Sequence, residues 1–186
     1  MFIIRRSISR FIFFISGWKI IGSIKYPKRC IVIAAPHTSN WDFFIGRCYT
    51  YIIGISANYL IKSNLFLPII GFFFRINGGI PVYRDKKNNV VEQLIDRYKK
   101  KDKFILGIAP EGTRSRVDKW KTGFYHIAYN LSVPIILVKI DYELKEVGIV
   151  KEIFPSGNLK TDMKEIENTY RNVKAKIPEY YNPKIF

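Results

Sequence analysis

The chain has 186 residues, 48% of them hydrophobic, and a formal net charge of +16. This length predicts one domain with a substantial core, and the composition excludes a disordered or low-complexity chain. The positive charge favours anionic partners, among them nucleic acid, anionic lipid headgroups and phosphorylated substrates. Cys30 and Cys48 show neither a CxxC pattern nor zinc-ligand spacing. We therefore expect two buried free thiols in a reducing compartment and no metal site.

Residues 1–22 predict an amphipathic helix. Their apolar run is shorter than the ~18–20 residues of a membrane-spanning helix, and no small-residue cleavage site of a signal peptide follows it. One helical face carries Ile4, Ile8, Phe11, Ile12, Ile15 and Trp18, the opposite face carries Arg5, Ser9 and Ser16, and Arg6 and Arg10 lie on the flank. This pattern is typical of a helix lying in a membrane interface, and a first helix packed on the core is the alternative.

Strands and helices alternate through the rest of the chain. The predicted strands are 31–35, 57–61, 79–83, 104–109, 135–141 and 146–150, the last two pairing as a hairpin. The predicted helices are 41–53, one that begins at Asn88 or Asn89 and runs to about Tyr98, 121–131 and 161–175. Pro81 indicates an edge position or a bulge for its strand. The alternation predicts a single α/β domain, with a largely parallel mixed sheet flanked by helices.

A second apolar segment, residues 65–74, is interrupted by Pro68 and Gly71. Three interpretations remain open for it: a surface patch inserted in lipid, the wall of an acyl-chain pocket, or ordinary core.

The first polar motif, residues 36–42, directly follows the strand 31–35 and contains His37 and Asp42. Histidine changes charge near neutral pH and can take a proton from a hydroxyl group. A carboxylate beside the ring fixes its orientation and stabilises its protonated form. The pair is therefore a candidate catalytic base with its orienting acid. Alternatively, His37 caps a helix and Asp42 supports the first turn. Because no serine lies in a nucleophile-elbow motif, we favour direct attack by an acceptor hydroxyl.

The second polar motif follows the strand 104–109 and offers the groups that bind an anion. Gly112 lets a ligand approach the backbone, and Thr113 and Ser115 supply hydroxyl donors. Arg114 can hold a phosphate through two hydrogen bonds. Glu111 could hold a glycerol hydroxyl or fix a neighbouring arginine. An ordinary polar turn is the alternative for this motif.

Polar groups follow the ends of four predicted strands: His37, Lys62, Arg84 and Glu111. In open parallel sheets, ligands bind outside the carboxyl ends of the strands. Arg84 could add a second phosphate contact, and Lys62 could steer anions, as could Arg116, Lys119 and Lys121. A base facing an anion-binding loop suits the transfer of an acyl group to an alcohol that bears a phosphate.

The motifs resemble those of the glycerolipid acyltransferases, a family that includes lysophosphatidate (1-acylglycerol-3-phosphate) acyltransferase. The family's N-H-x4-D block corresponds to residues 36–42, with Pro36 in place of asparagine, and its G-x-I-x3-R block corresponds to residues 78–84. The F-P-E-G-T-R-S block corresponds to residues 109–115, with Ala109 in place of phenylalanine. The V-P-I-x-P block corresponds to residues 133–137, with Leu137 in place of the last proline. The blocks appear in the family's order and span roughly residues 34 to 140.

The resemblance implies a membrane-contact helix over 1–22 and an acyltransferase domain over 23–186. His37 and Asp42 would be catalytic, and Arg84 with Glu111, Gly112, Thr113 and Arg114 would bind glycerol phosphate. The implied reaction moves a fatty acyl group from acyl-CoA or acyl carrier protein to lysophosphatidate in phospholipid biosynthesis. The family needs no metal or prosthetic group.

The implied location is peripheral, at an anionic membrane surface on the cytoplasmic face of the cell membrane. Pro36 in place of the family's asparagine changes the support of the histidine loop, and the chain is short for the family, so the acceptor could be another lysolipid, such as a lyso-ornithine lipid. A different kind of protein is also possible, namely a non-catalytic module that binds anionic membranes or nucleic acid. No recognised nucleic-acid motif supports that alternative, so we expect no nucleic-acid partner.

Overall fold

One sheet of seven strands forms the centre of the computed structural model, which describes residues 2–23, 25–83 and 89–186. The strands are β1 (Lys19–Ile21), β2 (Arg29–Ala35), β3 (Asn58–Lys62), β4 (Gly79–Val82), β5 (Phe104–Ile108), β6 (Ile135–Asp141) and β7 (Glu146–Ile153). Their order in the sheet is β1-β7-β6-β2-β5-β3-β4. The run from β6 to β4 is parallel, whereas β7 is antiparallel to β6, and β1 is parallel to β7. The predicted largely parallel mixed sheet and the predicted hairpin are confirmed.

The register of the central strands places the two motif loops side by side. β2 lies between β5 and β6, and Ile33 pairs with Ile108 on one side and with Leu137 on the other. The chain leaves β2 towards His37 and leaves β5 towards Glu111 at the same edge of the sheet. β4 is the last strand on its side, which confirms the edge position predicted from Pro81.

The helices connect and cover these strands. They are α1 (Phe2–Ser16), α2 (Asn40–Ile53), α3 (Pro68–Ile76), α4 (Val90–Tyr98), α5 (Gly123–Asn130) and α6 (Leu159–Tyr170). β1 and α3 are not among the predicted elements. β1 has three residues, too few to show a periodic pattern. α3 contains a proline and a glycine, but the proline occupies its first turn, where the missing N–H costs nothing.

Two apolar clusters pack against opposite faces of the sheet. Ile31, Ile33 and Ala35 of β2 face the cluster that includes side chains of α4, α5 and α6. Cys30 and Val32 point the other way, into the cluster covered by α1 and α2. This alternation follows from the two-residue period of a strand. Both cysteines, Cys30 and Cys48, are buried and free, as predicted.

The apolar face of α1 points away from the protein. Ile4, Ile8, Phe11 and Ile15 are more than half exposed, and Phe14 is 84% exposed. Ser9, on the face predicted to be polar, is only 3% exposed, as is typical of a side chain packed against the protein. The helix therefore presents most of its predicted apolar face to its surroundings, while Ile12 and Trp18 of that face pack against the protein. None of the helices in the described part of the chain is long and apolar enough to cross a bilayer.

Candidate active site

The structure brings His37 and Asp42 together at the carboxyl edge of the sheet. Nδ1 of His37 lies 3.4 Å from Oδ2 of Asp42. The same oxygen accepts hydrogen bonds from the backbone N–H groups of Thr38, at 2.6 Å, and Ser39, at 2.7 Å. Oδ1 accepts a hydrogen bond of 2.8 Å from the hydroxyl of Tyr142. The carboxylate is thus held on both oxygens and fixes the imidazole ring from one side.

Asp42 also belongs to the capping box that begins α2. Ser39 is the N-cap residue, and its backbone N–H donates to the Asp42 carboxylate in the third helical position. A negative charge at the beginning of a helix is favourable because the unpaired N–H groups there carry partial positive charge. The structural and the catalytic interpretations of Asp42 are therefore compatible, since the cap fixes the carboxylate that faces His37.

Glu111 is buried directly behind the histidine loop. Its Oε1 accepts a hydrogen bond of 2.8 Å from the backbone N–H of His37, while Oε2 has no hydrogen-bond partner among the described residues. The predicted partners are a ligand hydroxyl or an arginine, whereas the partner in the structure is the His37 backbone. Burial raises the pKa of Glu111 to about 7, although the hydrogen bonds from backbone N–H groups and the nearby His37 oppose the rise.

The loop that carries the second motif, residues 111–115, contacts the beginning of α2. Nη1 of Arg114 donates a hydrogen bond to Oδ1 of Asn40, the first residue of that helix. Oγ1 of Thr113 accepts one of 3.3 Å from the backbone N–H of Ser115. Gly112 has a φ of +66°, and a Cβ added there would lie 3.1 Å from the side chain of Lys121. The second motif therefore closes against the helix that carries the first.

Both motifs line one cleft of about 770 Å³. Its polar lining includes His37, Asn40, Lys62, Thr113, Arg114 and Lys121. The predicted convergence of the imidazole and the guanidinium on one cleft is thus present in the structure. Lys62 reaches it from the end of β3, as its position after a strand predicts. Arg84, the remaining predicted residue, lies outside the described residues.

A smaller apolar cavity of about 170 Å³ lies between α2 and the sheet. Its lining includes His37 and Gly46 from the α2 side, and Val32, Ile105 and Val138 from the strands. His37 lines both this apolar cavity and the large cleft, so its imidazole lies at the boundary between the apolar cavity and the basic cleft.

Tyr142 is a further site residue, which is not among those predicted from the sequence. It directly follows β6, so the rule that selects residues at strand ends would have found it. Burial and the neighbouring Asp42 both raise the pKa of Tyr142 far above its usual range, so the phenol stays protonated and donates to the carboxylate. Its ring contacts that of Trp18 edge-on, with a centroid separation of 5.1 Å.

The fold and this geometry define an α/β protein with a histidine–carboxylate pair facing an arginine-bearing loop. Residues 19–141 match the profile of the acyltransferase family, and the chain belongs to that family. It is 26% identical over 170 residues to the 1-acyl-sn-glycerol-3-phosphate acyltransferase of Saccharomyces cerevisiae. The alignment covers 87% of this chain and 55% of the yeast protein. The enzyme of the same name from Haemophilus influenzae is 35% identical over 83 residues, 41% of this chain and 34% of the relative.

A solved structure shares the fold. It is the 1-acyl-sn-glycerophosphate (LPA) acyltransferase PlsC from Thermotoga maritima, with a TM-score of 0.59 at 19% identity. The match covers 89% of this chain and 76% of that one. The chain spans about half of the length of the yeast relative and about a third of that of the Haemophilus relative.

Proposed function

We propose that this protein is an O-acyltransferase that moves a fatty acyl group from an acyl thioester to the free hydroxyl of lysophosphatidate. The observation that carries the proposal is the single cleft lined by His37, Lys62 and Arg114. It joins a base to cationic groups suited to a phosphate. Membership of the acyltransferase family and the names of the relatives support the same reaction class.

In the proposed mechanism, His37 acts as the general base. Because Nδ1 faces Asp42, Nε2 is the nitrogen that takes the proton from the acceptor hydroxyl as its oxygen attacks the thioester carbonyl. The new C–O bond forms, the C–S bond breaks, and the proton passes from the imidazolium to the leaving thiolate. Asp42, held by the two backbone N–H groups and Tyr142, stabilises the imidazolium between these steps.

The two spaces beside His37 suit the two parts of the reaction. Arg114 and Lys62 would hold the phosphate in the basic cleft, with Thr113 and the backbone of Gly112 beside it. The apolar cavity below α2 would take part of the acyl chain, which places the thioester carbonyl near the imidazole. Glu111 would contribute by supporting the histidine loop. The acyl donor, acyl-CoA or acyl carrier protein, is a co-substrate, and no other cofactor belongs to the proposal.

The exposed apolar face of α1 supports a peripheral location at a membrane. Large apolar side chains exposed along a helix mark an interaction surface, and a helix with arginines on its flank suits an anionic bilayer. We place the protein on the cytoplasmic face of the cell membrane, where the acyl donors are found and where free cysteines stay reduced.

The test is release of free thiol from an acyl thioester in the presence of lysophosphatidate. The purified protein should release thiol and form phosphatidic acid. His37→Ala should reduce the rate by at least about 10²-fold, the usual contribution of general-base catalysis, with the fold intact by circular dichroism. The matched control is His126→Ala, which removes an exposed imidazole from α5 and should leave the rate unchanged.

Full activity in the His37→Ala protein would refute the mechanism. A panel of lysolipid acceptors assayed with one thioester decides the substrate. If another acceptor, such as a lyso-ornithine lipid, is turned over much faster than lysophosphatidate, the acceptor assignment is wrong while the acyl transfer stands.

A further inference from the structure

The strongest unexplained feature of the molecule is α3. Six of its nine residues are isoleucine or phenylalanine, and the others are Pro68, Gly71 and Arg75, the sole charged residue. Only Gly71 is buried. Ile69 is 74% exposed, and Phe72 is 60% exposed. The neighbouring Leu65 and Leu67 are also exposed. A helix that is apolar all round is normally covered by a core or by lipid, so this one requires a partner outside the described chain.

A polar cluster joins α3 to the exposed helix α1. Oδ1 of Asn77, the residue that caps the end of α3, accepts hydrogen bonds from Nη1 of Arg5, at 2.8 Å, and from the hydroxyl of Tyr51, at 3.0 Å. That hydroxyl also accepts one of 3.1 Å from Arg47 of α2. The cluster holds the beginning of α1 against the end of α3. The two exposed apolar helices are therefore neighbours on one part of the surface.

The charge of this part of the chain identifies the partner. Residues 1–83 contain ten lysines and arginines and a single acidic residue, Asp42, which is buried in the active site. The exposed cations in this segment include Arg10 of α1, Lys62 after β3 and Arg75 of α3. Exposed apolar side chains among cations, with no exposed carboxylate in the same segment, are complementary to an anionic lipid surface. A protein partner would not require this uniform charge.

We infer that α3 is a second membrane-docking element, which inserts beside α1 into the headgroup region of an anionic bilayer. Leu65 and Phe74 line the large cleft, so α3 borders the entrance to the proposed active site. A lipid acceptor could then pass from the bilayer along α3 to His37 without crossing water. This last step rests on the proposed function, whereas docking itself does not.

Docking is tested by co-flotation with vesicles that contain anionic lipid. Ile69→Ser/Phe72→Ser should bind about tenfold more weakly or worse, because two large apolar side chains no longer enter the bilayer. The matched control is Phe154→Ser, which removes the same side chain at 64% exposure beyond the end of β7. It should bind within about twofold of the unchanged protein. Since all three positions are exposed, the thermal midpoints should stay close together.

Insertion is measured directly with an environment-sensitive dye on an introduced cysteine. The two native cysteines are buried, so the label goes to the new thiol. A dye at Phe72→Cys should shift to the blue when anionic vesicles are added, and a dye at Phe154→Cys should not.

Two results would overturn the inference. One is vesicle binding by Ile69→Ser/Phe72→Ser equal to that of the unchanged protein, with no shift of the dye at position 72. The other is a dimer in solution that these substitutions dissociate, which would make α3 an interface between copies of the chain. Neither measurement depends on turnover. A docking protein without acyl transfer would refute the proposed function alone, and an active enzyme that does not dock through α3 would refute this inference alone.

Discussion

Tyr142 acts on the proposed base, His37, through the carboxylate of Asp42. Its hydrogen bond to Oδ1 of Asp42 takes up part of the negative charge that faces His37. Asp42 therefore has two competing partners, the phenol on one oxygen and the imidazole near the other. The hydrogen bond from Tyr142 therefore helps to fix the carboxylate in the orientation that faces the imidazole.

Tyr142→Phe should therefore lower kcat/KM by about three- to tenfold, because the Asp42 carboxylate loses the hydrogen bond that holds its Oδ1. Circular dichroism should show that the fold of the variant is intact. The control is Tyr26→Phe, which removes a hydroxyl that contacts Tyr49 rather than Asp42. Activity of Tyr142→Phe equal to that of Tyr26→Phe would show that the hydrogen bond to Asp42 makes no contribution to the reaction.

Glu111 makes the stability of the fold depend on pH. Burial raises the pKa of its carboxyl from 4.5 to about 7, so the folded protein keeps a proton that the unfolded chain has already released. Stability should therefore fall by roughly 3 kcal/mol, at 1.36 kcal/mol per pKa unit, as the pH rises from about 4.5 to 7, and should then level off.

Glu111→Gln removes this titration while an amide oxygen can still accept from His37. The unchanged protein loses stability between pH 4.5 and pH 8 and the variant does not, so the free energy of unfolding of the variant minus that of the unchanged protein should rise over this range. Urea denaturation at several pH values measures this difference. A constant difference over this range would contradict the raised pKa of Glu111.

At the scale of elements, the sequence predicts the strands and helices that show a local periodic pattern. It does not predict contacts between residues that lie far apart in the chain. Short apolar runs followed by polar residues predict β2, β3 and β5, and the helix predicted over 41–53 is α2. An exposed surface patch is one of the three interpretations open for residues 65–74, and composition alone cannot select it, because a core helix has the same composition. The contact of Glu111 with the His37 backbone could not be predicted either, since it joins residues 74 positions apart through the pairing of β2 with β5.

Gly71 shows what holds α3 in place. A Cβ added there would lie 2.7 Å from the backbone Cα of Phe66, so the helix sits directly on the turn that precedes it. Gly71→Ala should force the helix and turn apart and destabilise the protein by about 1–3 kcal/mol in chemical denaturation. Gly46→Ala is the matched control in α2, where an added Cβ meets nothing within 4 Å. It should stabilise by up to about 1 kcal/mol through helix propensity. Equal effects at both positions would contradict the close packing of α3.

At the scale of the whole molecule, the net charge of +16 matters less than its distribution. α1 and α2 cover one face of the sheet and α4 the other, so cations on α1 and α4 lie on opposite sides. If the bilayer binds at α1 and α3, only cations on that side approach the anionic headgroups within a Debye length, about 8 Å at physiological salt. The orientation of the protein on the membrane is then set by which cations face it, and not by their number.

Two double variants with the same net charge test whether the position of the cations or their number controls binding to the membrane. Arg10→Gln/Arg75→Gln removes one exposed cation from α1 and one from α3, and Lys100→Gln/Lys101→Gln removes two exposed cations just beyond α4. The first should weaken binding to anionic vesicles about tenfold or more, since each basic residue near the surface contributes roughly 1 kcal/mol. The second should change it little. At about 1 M salt, where the Debye length is near 3 Å, the difference between the two should disappear. Equal weakening by both pairs at low salt would mean that the protein responds to total charge and has no preferred membrane-facing side.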